Sequence, residues 1–405
     1  MLIHWIWLAT RPDLSDRQKL AVLDTFRDPE EVFYAEKESF SNVQGMTQAG
    51  AEALCDKNLT QAKEILNDCV EKGIQICTYH DGAYPARLKN IADPPLILYY
   101  KGNLTGLDDS PVIGVVGTRK ASTYGLTTSK KMGYQIAKCG GILVSGLAEG
   151  NDGSAMAGAL TAGGKVIGVL GCGVDVVYPP MHRSLYRDTE KNGCLISEFP
   201  PKTPPYKWNF PKRNRIISGL SNGVLVVEAP YKSGSLITAR EAADQGRDVF
   251  VVPGNIDVPT FHGSNALLRD GAIAVSSGWD VVSEYAAVYP DKIRKENGET
   301  VFLSEQEKVL PKVAQKPETP SKNLLFDRKK EKKPIDNGPK KTYSDQQNLS
   351  EEERELLKPL QKGEALVDDL IAASGLPAGK VLSMLTMLQI RGVVELLPGK
   401  RVTLK

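Results

Sequence analysis

Residues 112–145 read VIGVVGTRKASTYGLTTSKKMGYQIAKCGGILVS, and this stretch decides the fold. It begins and ends with short runs of Val, Ile and Leu, between which lie a turn and a helical pattern. Apolar runs that are separated by helices predict parallel strands whose two faces are both covered. The stretch therefore predicts one strand–helix–strand unit of a parallel sheet.

The same alternation continues on the carboxyl side to about residue 285. It predicts further strands at Val166–Leu170, Cys194–Glu198, Val224–Glu228, Val249–Val252 and Ala272–Val275. Helical patterns lie near 125–138, 153–162, 181–191, 234–246 and 264–270. Together these units predict an α/β fold, a Rossmann-like doubly wound parallel sheet, within a core domain at residues 81–288. In that domain the apolar run Leu96–Tyr100 leads a strand into the sheet.

Residues 1–80 predict a separate domain of short helices. Ser15-Asp16 and Asp28-Pro29 are typical helix starts. The turn Asn42–Thr47 resembles a helix-hairpin-helix or SAM-like turn, for which phosphate binding and simple packing both stay open.

The carboxyl-terminal part predicts a linker and a second small domain. Residues 289–347 are rich in Lys and Pro without an apolar period, which predicts a linker. Residues 348–405 predict three helices and a hairpin, the plan of a winged helix. Its third helix carries only Lys380 and Arg391 as cations, so both DNA binding and protein contact remain open for this domain.

The composition argues against a membrane protein and against a metal-binding protein. The chain has 51 Lys and Arg against 49 Asp and Glu, and its net charge of +2 neither requires nor excludes a nucleic-acid partner. No stretch approaches the roughly 18 apolar residues of a membrane span. The six cysteines are scattered and the four histidines dispersed. We therefore predict no metal site and a reducing, cytoplasmic location.

Ligands of a doubly wound sheet bind where strands end and helices begin, because free backbone N–H groups and the helix dipole attract anions there. The first core strand ends in Gly117-Thr118-Arg119. This loop lacks the GxGxxG fingerprint of dinucleotide sites, and the second strand ends in Ser145-Gly146 without an acidic residue. The loop therefore favours a phosphodiester, and we predict no cofactor.

The segment Tyr206–Arg215, which follows the fourth core strand, interleaves cations with aromatic residues. It reads YKWNFPKRNR. Base stacking on aromatic rings beside cations is how proteins hold single strands without sequence preference. The alternative is that Trp208 and Phe210 pack under the sheet while the cations lie at the surface.

The fifth core strand leads into Lys232-Ser233-Gly234-Ser235 at the start of a predicted helix. Serine at this position is a good helix cap, and the same backbone can hold a phosphate group. The strand exits together predict binding of single-stranded DNA. They contain no catalytic set of residues, so we predict a binding protein rather than an enzyme.

Five segments resemble the bacterial DNA-processing protein A family, also called DprA or Smf. They are GVVGTRKASTYG at 114–125, VSGLAEGNDGSAMAGAL at 144–160, FPKRNRIISGLSNGVLVVEA at 210–229, KSGSLITAREAADQGRDVFVVPG at 232–254 and HGSNALLRDGA at 262–272. The resemblance extends from the connector at 84–99 to about residue 285, and the helical and winged-helix ends also fit it.

The resemblance implies a Rossmann-like core that binds single-stranded DNA, forms a homodimer and loads the RecA recombinase during natural transformation. Arg119 is then the clearest phosphate ligand, in the loop with Gly117 and Thr118. The resemblance also implies DNA contacts at Arg183, Lys212, Arg213, Arg215, Ser233, Gly234 and Ser235.

This chain departs from the family pattern after the second core strand. The family usually reads GLARGID followed by AHxGAL, where this chain has Glu149, Asn151 and Met156. Glu149 replaces a cation near the phosphate loops. Weaker DNA binding and a purely structural role for this loop are both open.

Two other functions are compatible with the sequence. LOG-type phosphoribohydrolases also have glycine-rich helix starts, and SGSLITARE places Glu241 broadly where their catalytic glutamate lies. A protein-interaction scaffold that acts through the linker and the winged helix is the third interpretation.

Overall fold

The computed structural model describes residues 1–295, 350–376, 378–390, 393–397 and 401–404. The chain forms two units, one up to residue 315 and one from residue 316. Most of the predicted linker at 289–347 lies outside the described residues. Its first part, 289–295, packs on the core instead: Ile293 is buried, and the Tyr289 hydroxyl accepts a hydrogen bond from Arg87 at 2.7 Å.

The amino-terminal part is helical, as predicted. Its helices are α1 (Leu2–Ala9), α2 (Asp16–Phe26), α3 (Pro29–Tyr34), α4 (Gln48–Cys55) and α5 (Thr60–Glu71), with a 3₁₀ turn at Lys37–Asn42. Ser15 forms a capping box with Gln18, and the Asp28 side chain accepts the N–H of Glu30, so both predicted helix starts are confirmed. In the predicted hairpin turn, Gly45 has a φ of 71° and Thr47 caps α4.

These helices are not an independent domain, which corrects the predicted boundary at residue 80. Strand β1 (Gln75–Thr78) pairs antiparallel with β2 (Ile97–Gly102) and so joins the main sheet. One hydrophobic cluster also continues from Trp7 of α1 to Ile113 in the sheet. The amino-terminal helices and the sheet therefore share a core.

The main sheet confirms the predicted doubly wound fold. The other strands are β3 (Val112–Val116), β4 (Ile142–Ser145), β5 (Val166–Val169), β6 (Gly193–Ser197), β7 (Gly223–Val226), β8 (Asp248–Val251) and β9 (Ile273–Ala274). Their order is β1-β2-β6-β5-β4-β3-β7-β8-β9, and all neighbours from β6 to β9 are parallel. Successive strands run outward from β3 to β6, and the chain then returns to place β7 on the other side of β3.

Both faces of the sheet are covered, because successive strand residues point to opposite sides. Ile113 and Val115 pack into one core cluster, whereas Val112 and Val116 pack into the other. The covering helices are α6 (Ala86–Lys89), α7 (Thr123–Lys138), α8 (Asn151–Thr161), α9 (Arg183–Asn192), α10 (Asn209–Leu220), α11 (Gly234–Asp244), α12 (His262–Arg269) and α13 (Gly278–Val282).

Helix α10 is the main local difference from the predicted fold, because the sequence of residues 206–215 predicts a loop. Its apolar residues Ile216, Ile217 and Leu220 are buried at helical spacing. Pro211 falls in the first turn, where a backbone N–H has no partner within the helix and proline is tolerated. Most of the predicted cation–aromatic loop is therefore helical.

The carboxyl-terminal unit has the predicted winged-helix plan. It contains α14 (Glu351–Leu357), α15 (Val367–Ser374), α16 (Ala378–Ile390), β10 (Ala365–Leu366), β11 (Val394–Leu397) and β12 (Arg401–Leu404). The strand order is β10-β12-β11, and a small core includes Leu370 and Leu385. Across both units, none of the described helices is long and apolar enough to span a membrane.

Candidate nucleic-acid interface

An open cleft of about 440 Å³ lies at the carboxyl ends of β3 and β7. These neighbouring strands are where the winding of the sheet reverses, the position at which doubly wound folds bind their ligands. The loop after β3 and the start of α11 line the cleft, together with the start of α10. The fold therefore brings most of the predicted strand-exit residues into one site. These are Gly117, Thr118, Arg119, Arg213, Ser233, Gly234 and Ser235.

The loop after β3 is fixed by backbone contacts and presents exposed Arg119 to the cleft. The N–H of Thr118 donates to the carbonyl of Glu228 at 2.8 Å, and Gly117 lies so close to Asn151 that no side chain would fit there. The guanidinium of Arg119 lies over the ring of Phe210, 4.9 Å from its centroid. Within the described parts of the chain, no acidic side chain forms a salt bridge with Arg119, so its charge is available to a ligand.

The start of α11 supplies hydrogen-bond donors to the same cleft. Ser233 caps the helix and accepts the N–H of Ser235, and their two hydroxyls are 2.7 Å apart. A side-chain carbon added at Gly234 would meet no atom within 4 Å, so the backbone there is open. The positive end of this 11-residue helix therefore adds to the charge of Arg119.

Arg213 forms the floor of the cleft. It is 4% exposed, and its guanidinium donates to the carbonyls of Gly146, at 2.9 Å, and Val169. Burial lowers the pKa of Arg213, the carboxylate of Asp152 opposes this shift, and repulsion from Arg119 adds to it. The side chain thus fixes the loop after β4 and places a second positive charge below Arg119.

Lys212 and Arg215 do not reach the cleft, which corrects the prediction that they complete the pocket. Successive helix residues are turned by about 100°, so residues 212 and 215 share a side of α10 that residue 213 does not. Arg215 forms two hydrogen bonds with Glu198, at 2.8 and 3.2 Å, and contacts Asp93 at 3.1 Å. The Nζ atom of Lys212 lies 3.0 Å from the Oδ2 atom of Asp16.

We call these five residues, Asp16, Asp93, Glu198, Lys212 and Arg215, the rear cluster. Burial lowers the pKa of Arg215, but the attraction of its three carboxylate neighbours is larger in sum and raises it. Burial raises the pKa of Asp16, whereas Lys212 and Arg215 lower it overall. Both shifts favour the charged forms, so the carboxylates neutralise Lys212 and Arg215, and the rear cluster ties α2 to the core.

Arg183 lies at the start of α9, exposed and outside the cleft lining. The structure therefore does not bring it together with Arg119. Two exposed lysines of the cleft, Lys120 and Lys232, are not among the predicted DNA contacts. Lys120 directly follows Arg119, and Lys232 directly precedes Ser233. Their position beside predicted site residues is therefore the sequence signal that could have identified them.

The three departures from the family pattern lie in different environments. Asn151 is buried and links two elements: it accepts from the Ser129 hydroxyl at 2.9 Å and donates to the Glu228 carbonyl at 3.3 Å. Met156 is buried in the core. Glu149 alone is exposed, next to Ala148 of the cleft lining, where its charge opposes the binding of an anion.

Glu241 does not line the cleft. Burial raises the pKa of its carboxyl, and Asp93 and Asp244 add to this effect. Asp93 belongs to the rear cluster, so Glu241 lies on that side of the molecule. Within the described ranges, no group of three or more His, Cys, Asp or Glu side chains could hold a metal ion.

Comparisons with known proteins match both units. Residues 75–286 match the family model of DNA recombination-mediator protein A, and residues 340–400 match the DprA winged helix domain. Protein Smf of Synechocystis is 34% identical over 84% of this chain and 82% of its own length. DNA processing protein DprA of Bacillus subtilis is 44% identical over 53% of this chain and 72% of its own.

A crystal structure is also similar. DprA of Streptococcus pneumoniae superimposes with a TM-score of 0.63 at 34% identity, over 70% of this chain and 98% of that one.

Proposed function

Because the chain belongs to the DNA recombination-mediator protein A family, the DprA and Smf proteins, we propose that it binds single-stranded DNA in the cleft at the ends of β3 and β7. One observation carries the proposal. Arg119 is an exposed guanidinium beside the open start of α11 and forms no salt bridge with any described residue, whereas Lys212 and Arg215 of helix α10 are paired with carboxylates.

A phosphodiester group satisfies this arrangement chemically. A guanidinium binds two phosphate oxygens at once, and the N–H groups at a helix start add further donors. The floor charge of Arg213 and the lysines at positions 120 and 232 strengthen the attraction. A positively charged groove that follows the sugar-phosphate backbone is typical of sites that bind a single strand without sequence preference, so single-stranded DNA is the proposed ligand.

Membership of this family supports a role for the protein beyond the binding of DNA itself. We propose that the protein protects single-stranded DNA, passes it to the RecA recombinase during natural transformation and acts as a homodimer through the Rossmann-like domain. The cytoplasm is the matching compartment. The six cysteines form no disulfide, and burial raises the pKa of Cys69, Cys77 and Cys172 to about 11, which keeps these thiols protonated.

The protein is proposed to bind DNA without a chemical step. The alternative, a LOG-type nucleotide hydrolase, would need Glu241 at the ligand, and that residue lies outside the cleft. Nucleotide turnover that is lost in Glu241→Gln would favour the enzyme.

The winged helix is proposed to contact a protein. Lys380 of α16 is already paired with Glu352 at 2.6 Å, while Met387 on the same helix is 45% exposed. A helix that reads DNA needs unpaired cations toward the phosphates. The described side chains of α16 offer an exposed apolar group instead.

Titration of the full chain with fluorescent single-stranded and duplex oligonucleotides at two salt concentrations tests the proposal. We expect tighter binding of the single strand, with an affinity that falls as salt rises, because phosphate contacts release counterions. Equal affinity for the duplex, or binding that is indifferent to salt, would contradict it.

A further inference from the structure

Two exposed aromatic rings lie just before α10 and stack on each other. The rings of Tyr206 and Trp208 have centroids 4.7 Å apart and planes within 7°. Trp208 is 70% exposed and Tyr206 is 44% exposed. Aromatic side chains of this size are normally buried, and those left at a surface often mark a binding site. We call this pair the aromatic platform.

The aromatic platform is connected to the cleft by two residues. Asn209 is buried, and its amide donates to the Gly171 carbonyl at 3.0 Å, which anchors the end of the platform. The next residue, Phe210, lies under the guanidinium of Arg119. Two residues of chain span at most about 7 Å, so the Cα atom of Trp208 lies within that distance of the Cα atom of Phe210.

The platform is also held in shape before any ligand arrives. The N–H of Asn209 donates to the Tyr206 carbonyl at 3.0 Å, and the N–H of Tyr206 donates to the Pro204 carbonyl at 2.8 Å. Because each ring fixes the other, little conformational freedom is left to lose on binding. A ring face of Trp208 is thus available and ordered.

We propose that a nucleobase of the bound strand stacks on Trp208, so that the site holds DNA by its bases as well as by its phosphates. This inference rests on the proposed function. The occupant follows from the surroundings: exposed Lys207 lies between Tyr206 and Trp208 in the sequence, and Arg119 attracts an anionic chain to the adjoining cleft. A flat, uncharged group that is attached to an anionic backbone matches both features. Since every base has such a face, the contact adds affinity without sequence preference.

The test compares oligo(dT) of about 12 nucleotides, within the site sizes of such proteins, with an abasic strand of the same length. The full chain is titrated as wild type, Trp208→Ala, Trp208→Phe and Arg119→Ala. We expect Trp208→Ala to weaken oligo(dT) binding between about 5-fold and about 150-fold, the range for one stacked base, and to leave abasic binding unchanged. Trp208→Phe should retain most of the affinity.

Salt dependence gives a second readout. Stacking releases no counterions, so Trp208→Ala should keep the wild-type slope of affinity against salt, whereas Arg119→Ala should lower it and weaken both strands. Equal weakening of both strands by Trp208→Ala, or no weakening of either, would overturn the stacking proposal alone. A change in self-association with an intact base preference would also overturn it, in favour of a second copy of the chain. Wild-type protein that binds neither strand would overturn the proposed function itself.

Discussion

The two sides of helix α10 carry similar cations in different electrostatic surroundings. On the cleft side, Arg213 lies at the floor and Arg119 above it is exposed without a salt bridge among the described residues. On the other side, Lys212 and Arg215 of the rear cluster face three carboxylates. The sequence FPKRNR places three of these four cations within four positions.

The difference shows that a basic run is not one functional unit. A buried guanidinium that is matched by carboxylates has its hydrogen bonds filled and its charge neutralised, so it has nothing to offer a phosphate. An exposed guanidinium beside a helix start can still offer both its hydrogen-bond donors and its charge to a phosphate. The rear cluster therefore serves stability and the cleft serves binding, and the two roles should separate by mutation.

The largest effect is expected for Arg215→Ala. Its side chain is 5% exposed, and its removal leaves Glu198, whose side chain is 7% exposed, without its main partner. Loss of one member of a buried ion pair costs about 3–5 kcal/mol in the free energy of unfolding. Urea denaturation measures this value, and DNA affinity of the folded fraction should stay near that of the wild type.

Lys212→Ala is the matched control in the same cluster. Its side chain is 44% exposed, so its ion pairs are screened by solvent and should contribute less than about 1 kcal/mol. If both variants lowered stability equally, burial would not explain the difference between the two cations. If Arg215→Ala instead weakened DNA binding without destabilising the fold, the two sides of α10 would have been assigned in reverse.

Arg119→Ala should show the opposite pattern. A charge-assisted hydrogen bond contributes about 1.5–3 kcal/mol, so its loss should weaken single-stranded DNA binding at least tenfold, while the free energy of unfolding should fall by no more than about 1 kcal/mol through the lost contact with the Phe210 ring. Arg119→Lys should recover only part of the affinity, because an ammonium group cannot form the two-point contact. Anisotropy titration and urea denaturation of the same preparations separate the two effects. Unchanged affinity in folded Arg119→Ala would exclude this loop as the binding site.

The smallest effect is expected for removal of residues 350–405. The described cation of α16, Lys380, is already paired with Glu352, so the winged helix should add little to DNA affinity. The shortened chain should bind single-stranded DNA within about threefold of the full chain, a difference below 1 kcal/mol. A loss of tenfold or more would make the winged helix a main DNA contact.

The sequence predicted the parallel sheet and the loops of the cleft well, because both depend on local patterns. Uninterrupted apolar runs specify covered strands, and the residues that follow each strand must meet at one edge. It could not assign Lys212 and Arg215, since their partners Asp16, Asp93 and Glu198 are distant in the chain. The shared core of α1 and the sheet was missed for the same reason. Helix α10 was missed because its aromatic and proline start resembles a loop.

The most direct test of the account is the slope of log affinity for single-stranded DNA against log salt concentration. It should be measured for the wild type, Arg119→Ala and Arg215→Ala at a denaturant-free condition where all three are folded. One lost phosphate contact on a single strand lowers the slope by about 0.7. We predict that change for Arg119→Ala and a wild-type slope for Arg215→Ala. Identical slopes for the wild type and Arg119→Ala would contradict the claim that Arg119 holds a phosphate in the cleft.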